Sequence, residues 1–256
     1  QDWKGKAQSL NAIGVSYFIQ NNYEKALEYY LQALALREKV SDMMGVAGTL
    51  NNVGMVYRDM KEYSTALTYY FRALRLNDSL KNLQFFVRNL NNIGVAYESM
   101  NAFDSALVFH RRSIEMKREI GDKAGIASSL RNIGKVYLRM KRYGEALETL
   151  REGLAINETG KQVRALILLD MAQVYEETDQ VKPAVNNANA AMLLGRELGA
   201  ALIEQGERVG EDRQVLVSVE VFHARKSGGA RADEDLHAAL DEVGCSSIVG
   251  DDLELP

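Results

Sequence analysis

Three asparagines stand at one repeated place, 40 residues apart: Asn52, Asn92 and Asn132, each directly ahead of a Val-Gly or Ile-Gly pair. A carboxamide both donates and accepts, so a stacked row of them can hold the backbone of an extended peptide whatever its side chains. Arg131, Lys135 and Arg139 follow one another at i, i+4 and i+8, which on a helix makes one cationic stripe. A guanidinium pairs a carboxylate through two parallel hydrogen bonds, so the stripe points to an acidic partner. These residues bind; nothing beside them reacts. The chain has no His-Glu-x-x-His, Gly-x-Ser-x-Gly, Cys-x-x-Cys or phosphate loop, the short patterns that would signal a hydrolytic, redox or nucleotide site. Gly121–Gly125 holds glycine and lysine without phosphate-loop spacing and reads as an interhelix turn. His110 falls where the first two repeats carry a tyrosine (Tyr30 and Tyr70) and reads as a packing residue, while His223 and His237 lie among no matching metal ligands. Cys245 is the single cysteine; it allows no internal disulfide and fits a reducing compartment. No enzyme, cofactor or metal is expected.

The elements that position the asparagines are repeats. A Leu-x2-Ile/Val-Gly-x2-Tyr signature appears as Leu10/Ile13/Gly14/Tyr17, Leu50/Val53/Gly54/Tyr57, Leu90/Ile93/Gly94/Tyr97 and Leu130/Ile133/Gly134/Tyr137. A weaker fifth copy is Leu168/Met171/Ala172/Tyr175. Self-similarity at such a period marks a solenoid, in which each unit buries its apolar face only against its neighbours. Within a unit the apolar residues recur at i, i+3, i+4 and i+7, the period of a helix. Unit one is expected to hold helix A over about residues 6–20 and helix B over about 23–37. Connections such as Gln20–Asn22 and Asp59–Lys61 are short, so consecutive helices must be antiparallel. Asp42 and Asp122 are expected as N-caps, and Pro183 as an early residue of the last helix B. Gly14 and Ala26 are expected where the two helices of a unit cross, with Tyr17 and Tyr30 filling the space beside them.

The series Leu10-x2-Ile13-Gly14-x2-Tyr17…Ala26-x3-Tyr30 resembles the tetratricopeptide repeat family, over about residues 5–195 and five units. The family's usual unit is about 34 residues with a proline closing helix B. Here the unit is 40 residues and Glu38 stands in the proline's place. The longer unit resembles those of kinesin light chain and Partner-of-Inscuteable (LGN) scaffolds, and is similar to repeat arrays that precede bacterial histidine kinases and regulators. The resemblance implies an all-α, right-handed α-solenoid whose A helices line a concave groove. It implies a non-enzymatic scaffold that holds an extended peptide there, with Asn52, Asn92 and Asn132 as the clamp. Carried onto the family pattern, Arg131, Lys135 and Arg139 point into the groove, and Arg58 and Arg88 lie on the same wall, which makes the peptide acidic. The other reading of the asparagines is that they cap or bridge neighbouring helices. A sensory or regulatory domain of a larger signalling protein is the alternative function.

The repeats end near residue 195, and residues 196–256 form a separate segment: a C-terminal cap, an appended domain, or a stretch foreign to the repeat protein. All 12 tyrosines precede it. Gln214–Phe222 alternates like a strand, and Ala232–Val243 reads as a short acidic helix. The net charge of −4 divides between the two parts: residues 1–195 hold 25 Lys+Arg and 21 Asp+Glu, residues 196–256 hold 6 and 14. The acidic segment could occupy the basic groove, in the same chain or a neighbouring one. The excess in the first part is too small, and its cations too dispersed, for a nucleic-acid surface. No apolar run is long enough to span a membrane, and no signal peptide opens the chain. A cytoplasmic location is expected, or a periplasmic one if a signal peptide was removed before Gln1.

Overall fold

The computed structural model describes residues 2–156 and 160–205. The strand-like stretch and acidic helix expected after residue 205 lie outside the described residues. Ten α-helices are present among them: α1 (Trp3–Ile19), α2 (Tyr23–Lys39), α3 (Met43–Asp59), α4 (Tyr63–Ser79), α5 (Leu83–Ser99), α6 (Phe103–Glu119), α7 (Lys123–Arg139), α8 (Tyr143–Leu154), α9 (Lys161–Glu177) and α10 (Val181–Gln205). Packed A/B pairs are α1 with α2, α3 with α4, α5 with α6, and α9 with α10. The expected helix A of unit one begins three residues earlier, at Trp3, because Asp2 caps it through the Gly5 amide at 2.9 Å. The described residues form two compact units, divided between Val136 and Tyr137.

The repeat length follows from one turn used again and again. Each of α1 to α7 has 17 residues and is followed by a three-residue link. The middle link residue is left-handed: Asn21, Ser41, Lys61, Lys81, Asn101, Gly121 and Lys141, with φ between 55° and 74°. The next amide then reaches back to the helix, as in Asn22 N–H to Tyr17 C=O (2.9 Å), Asp42 to Arg37 (2.9 Å) and Glu62 to Tyr57 (2.8 Å). This closure satisfies carbonyls that the helix end leaves open. The following residue often caps the next helix, and Asp42 and Asp122 accept the Gly45 and Gly125 amides at 3.2 and 2.8 Å. Pro183 is the third residue of α10, where its missing N–H costs nothing.

Within the first unit, up to Val136, the signature glycines admit aromatic rings rather than bare helix backbones. A Cβ on Gly14 would lie 2.7 Å from the Tyr30 ring, on Gly54 2.6 Å from Tyr70, and on Gly94 2.6 Å from His110. Ala26, Ala33, Ala66 and Ala73 are wholly buried. Ala66, Leu67, Tyr70 and Leu74 of α4 pack on Phe86, Leu90, Ile93 and Ala96 of α5, and α2 meets α3 through Ala26, Tyr30, Val53 and Val56. Each large side chain so buried contributes on the order of 2 kcal/mol. Stacked rings join the helices of a hairpin at one register: Tyr17 on Tyr29, Tyr57 on Tyr69, and Tyr97 on Phe109, with centroids 5.4 to 5.5 Å apart.

A second periodic feature is polar. At the ends of α2, α4 and α6, a side chain crosses to the next helix A. Arg37 donates to the Gly45 carbonyl (2.7 Å) and Thr49 Oγ1 (2.5 Å). Asn77 Nδ2 donates to Asn89 Oδ1 (2.7 Å). Lys117 Nζ donates to the Gly125 carbonyl (2.9 Å) and Ser129 Oγ (2.8 Å). Burial lowers the pKa of Arg37 and of Lys117, and Asp42 and Asp122 respectively oppose that shift. The seam is charge-matched: cations sit beside an aspartate cap, whereas Asn77 sits before the neutral Asn82. In the second unit, α8 packs on α9 and α9 on α10, with Ala165 and Ala191 meeting in a small core.

Candidate functional site

On the A helices of the first unit, one stripe escapes burial. It contains Gly48, Asn52 and Met55 of α3, Arg88, Asn92 and Val95 of α5, and Ser128, Asn132 and Lys135 of α7, all exposed or half-buried. The signature residues Leu50, Val53, Leu90, Ile93, Leu130 and Ile133 face inward and are buried. The two sets are offset by the helical period, so the residues that pack the repeats also decide which residues form the outer stripe.

Asn52, Asn92 and Asn132 thus share one solvent-facing register on three successive A helices. They are not isolated from one another's units. Asn52 Nδ2 donates to Asn11 Oδ1 (3.3 Å), Asn92 Nδ2 to Asn51 Oδ1 (2.8 Å), and Asn132 Nδ2 to Asn91 Oδ1 (2.8 Å). Each asparagine therefore bridges to the helix A before its own, and keeps its Oδ1 and a second Nδ2 hydrogen.

The cations are differently placed. Arg88 is exposed, with its guanidinium 4.2 Å from the Phe85 ring centroid; desolvation lowers its pKa. Lys135 lies 3.8 Å from the carboxylate of Glu98, a residue only 6% exposed. Arg58 is held at 2.7 Å by its neighbour Asp59. Arg131 is half-buried beside Asn132, and Arg139, the last residue of α7, belongs to the second unit. Arg58 and Lys135 thus each face a carboxylate of the same chain. Of the phenylalanine pair that opens α5, Phe86 packs in the core and Phe85 carries Arg88.

Sequence reasoning passed over Asn11, Asn51 and Asn91. Their signal was available, since they repeat at the same 40-residue interval, one place ahead of the ladder. Among the described residues, no group of His, Cys, Asp and Glu side chains is arranged to hold a metal ion, and no helix is long and apolar enough to cross a membrane.

Tetratricopeptide repeat sequence profiles match residues 7–39, 45–119 and 86–159. The chain belongs to the tetratricopeptide repeat family, whose arrays serve as protein-interaction scaffolds. No curated protein matches it in sequence. In fold it is similar to a Rap protein complexed with Competence and Sporulation Factor, at 19% identity and a TM-score of 0.74, covering 94% of this chain and 65% of that one. It is similar to NprR in complex with its cognate peptide NprX, at 15% identity and a TM-score of 0.70, covering 96% and 68%. A kinesin light chain with nearly identical repeats from Podosopora anserina superposes at 14% identity and a TM-score of 0.59, covering 75% and 95%. The chain thus spans about two thirds of the Rap and NprR structures.

Proposed function

We propose that this protein is a non-enzymatic scaffold whose A-helix face binds an extended acidic peptide. The observation that carries the reading is the ladder of Asn52, Asn92 and Asn132, three carboxamides in one exposed register with unused donors and acceptors. A ready-made polar row loses little entropy when a ligand arrives. Arg88, Arg131 and Lys135 supply positive charge around it, with Arg139 beyond. Arg58 and Lys135 already face Asp59 and Glu98, so the exposed Arg88 is the first of these cations to test. The test is a charge reversal. The full chain is titrated with fluorescent (Ser-Glu)4 and (Ser-Lys)4 peptides, beside an Arg88→Glu/Arg131→Glu variant of unchanged helicity. The parent is expected to bind the glutamate peptide and the variant to lose it. Equal affinity of both proteins for both peptides would rule out the acidic groove.

A second reading, a sensory or regulatory domain of a larger signalling protein, draws support from the likeness to the Rap and NprR peptide complexes, whose chains are longer than this one. On that reading a bound peptide changes the pitch of the array. X-ray scattering should then show a changed radius of gyration on saturation with a peptide; an unchanged curve argues for a passive scaffold.

A further inference from the structure

Resting on the groove reading above, we propose that Asn11, Asn51 and Asn91 are positioning residues: they fix which atoms of Asn52, Asn92 and Asn132 face a ligand. A carboxamide has nearly the same shape when its oxygen and nitrogen exchange places, so only its surroundings decide the orientation. Here the surroundings are explicit. Asn11, Asn51 and Asn91 each turn an Oδ1 toward the next unit's ladder residue, at 3.3, 2.8 and 2.8 Å from its Nδ2. Reversing a ladder amide would set oxygen against oxygen. One hydrogen of each ladder Nδ2 is consumed, and the Oδ1 and the other hydrogen are left outward. A peptide backbone then meets the same acceptor and donor in each of three units.

The middle position is the most firmly held. Asn51 Oδ1 accepts from Asn89 Nδ2 (3.0 Å) as well as from Asn92, and Asn89 Oδ1 accepts from Asn77 (2.7 Å). Asn51 Nδ2 lies 3.5 Å from the Met55 sulfur. Four carboxamides from α4, α5 and α3 thus form a chain in which turning an end member, Asn77 or Asn92, breaks one hydrogen bond and turning an inner member, Asn89 or Asn51, breaks two. The chain ties the orientation of Asn92 to the buried seam between units two and three. At the fourth place in the positioning register stands Arg131, a residue with no acceptor to offer, so the device ends there.

The test separates orientation from binding. In side-chain amide NMR spectra of the full chain, Asn91→Ala is expected to shift the Asn132 carboxamide and speed its hydrogen exchange, leaving Asn52 unmoved. Asn91→Asp, which keeps the acceptor, is expected to restore it. With the (Ser-Glu)4 peptide, Asn91→Ala and Asn132→Ala should each weaken binding about three- to tenfold, the range of one hydrogen bond. The double variant should be no weaker than Asn132→Ala alone. Additive losses would mean that Asn91 touches the peptide itself, and would overturn the positioning role. Loss in Asn132→Ala without loss in Asn91→Ala would overturn it too, with the groove reading intact. No loss in either variant would remove the groove reading and this inference together.

Discussion

Replacing His110 with phenylalanine should make the array both more stable and less sensitive to acid. His110 takes the place that Tyr30 and Tyr70 hold in the first two repeats, with Gly94 against its ring. It is wholly buried, and neither ring nitrogen has a hydrogen-bond partner. Burial, with the charges of Lys117 and Lys135 behind it, pulls its pKa down to about 4. In the unfolded chain the value is about 6.5. Between those two pH values the unfolded chain takes up a proton that the folded chain refuses. The stability of the neutral ring is therefore complete above pH 6.5 and drains away as the pH falls toward 4. The loss is about 2 kcal/mol between pH 7 and pH 5, and about 3 kcal/mol in all. Phenylalanine removes that dependence and leaves no stranded nitrogen, which should add about 1 kcal/mol at pH 7. Urea denaturation followed by helical circular dichroism at pH 7, 6 and 5 measures both effects. The carboxylates titrate alike in the two proteins, so the difference between the curves isolates His110. Curves that stay parallel from pH 7 to 5, or a histidine ring signal titrating above pH 6, would refute the reasoning.

Lys117→Met should destabilise the array by about 1–3 kcal/mol by removing the hydrogen bonds to Ser129 Oγ and the Gly125 carbonyl, whereas Lys117→Asn with Asp122→Asn should recover part of the loss, because Asn77, ahead of the neutral Asn82, already forms such a seam with Asn89; thermal melts of the three proteins decide. Lys61→Gly, Lys81→Gly and Lys141→Gly each relieve a left-handed non-glycine residue and should raise stability by roughly 0.5–1 kcal/mol apiece, visible as a stepwise rise in melting temperature. Gly54→Ala, whose new Cβ would lie 2.6 Å from the Tyr70 ring, should cost about 1–3 kcal/mol and lower the urea midpoint; an unchanged midpoint would show that the hairpin can open without penalty.

The hairpins were legible because a helix repeat writes its packing into local spacing. Leu50, Val53, Gly54 and Tyr57 are neighbours along the chain and in the core alike, so their period carried the fold. Asp42 and Asp122 could be read as caps for the same reason. The polar seam was not legible. Arg37, Asn77 and Lys117 share a register but no chemistry, and only the backbone path brings each to the partner supplied by the next helix A. The site was half legible. Sequence placed Asn52, Asn92 and Asn132 on one face and offered bridging to a neighbouring helix as their other reading, but it did not single out Asn11, Asn51 and Asn91 as the partners. Arg58 illustrates the limit: its adjacency to Asp59 is plain in the sequence, yet two side chains one residue apart on a helix ordinarily diverge, and here the guanidinium folds back.

The charge-matched seam bears on how such a chain avoids assembling in the wrong order. Its repeats are so alike that a helix B could settle against the helix A of a later unit, a common failure of repeat proteins. The core would hardly object, since Leu50, Leu90 and Leu130 are interchangeable. The seam would. Were α2 to skip a unit and settle on α5, Arg37 would meet Asn82 and Phe85 where it now has Asp42 and Gly45, leaving a half-buried cation without its carboxylate. Were α4 to settle on α7, Asn77 would leave Asp122 without its lysine. Arg37, Asn77 and Lys117 would thus serve as addresses as well as fasteners: each holds its own junction and tells the folding chain which junction it has reached.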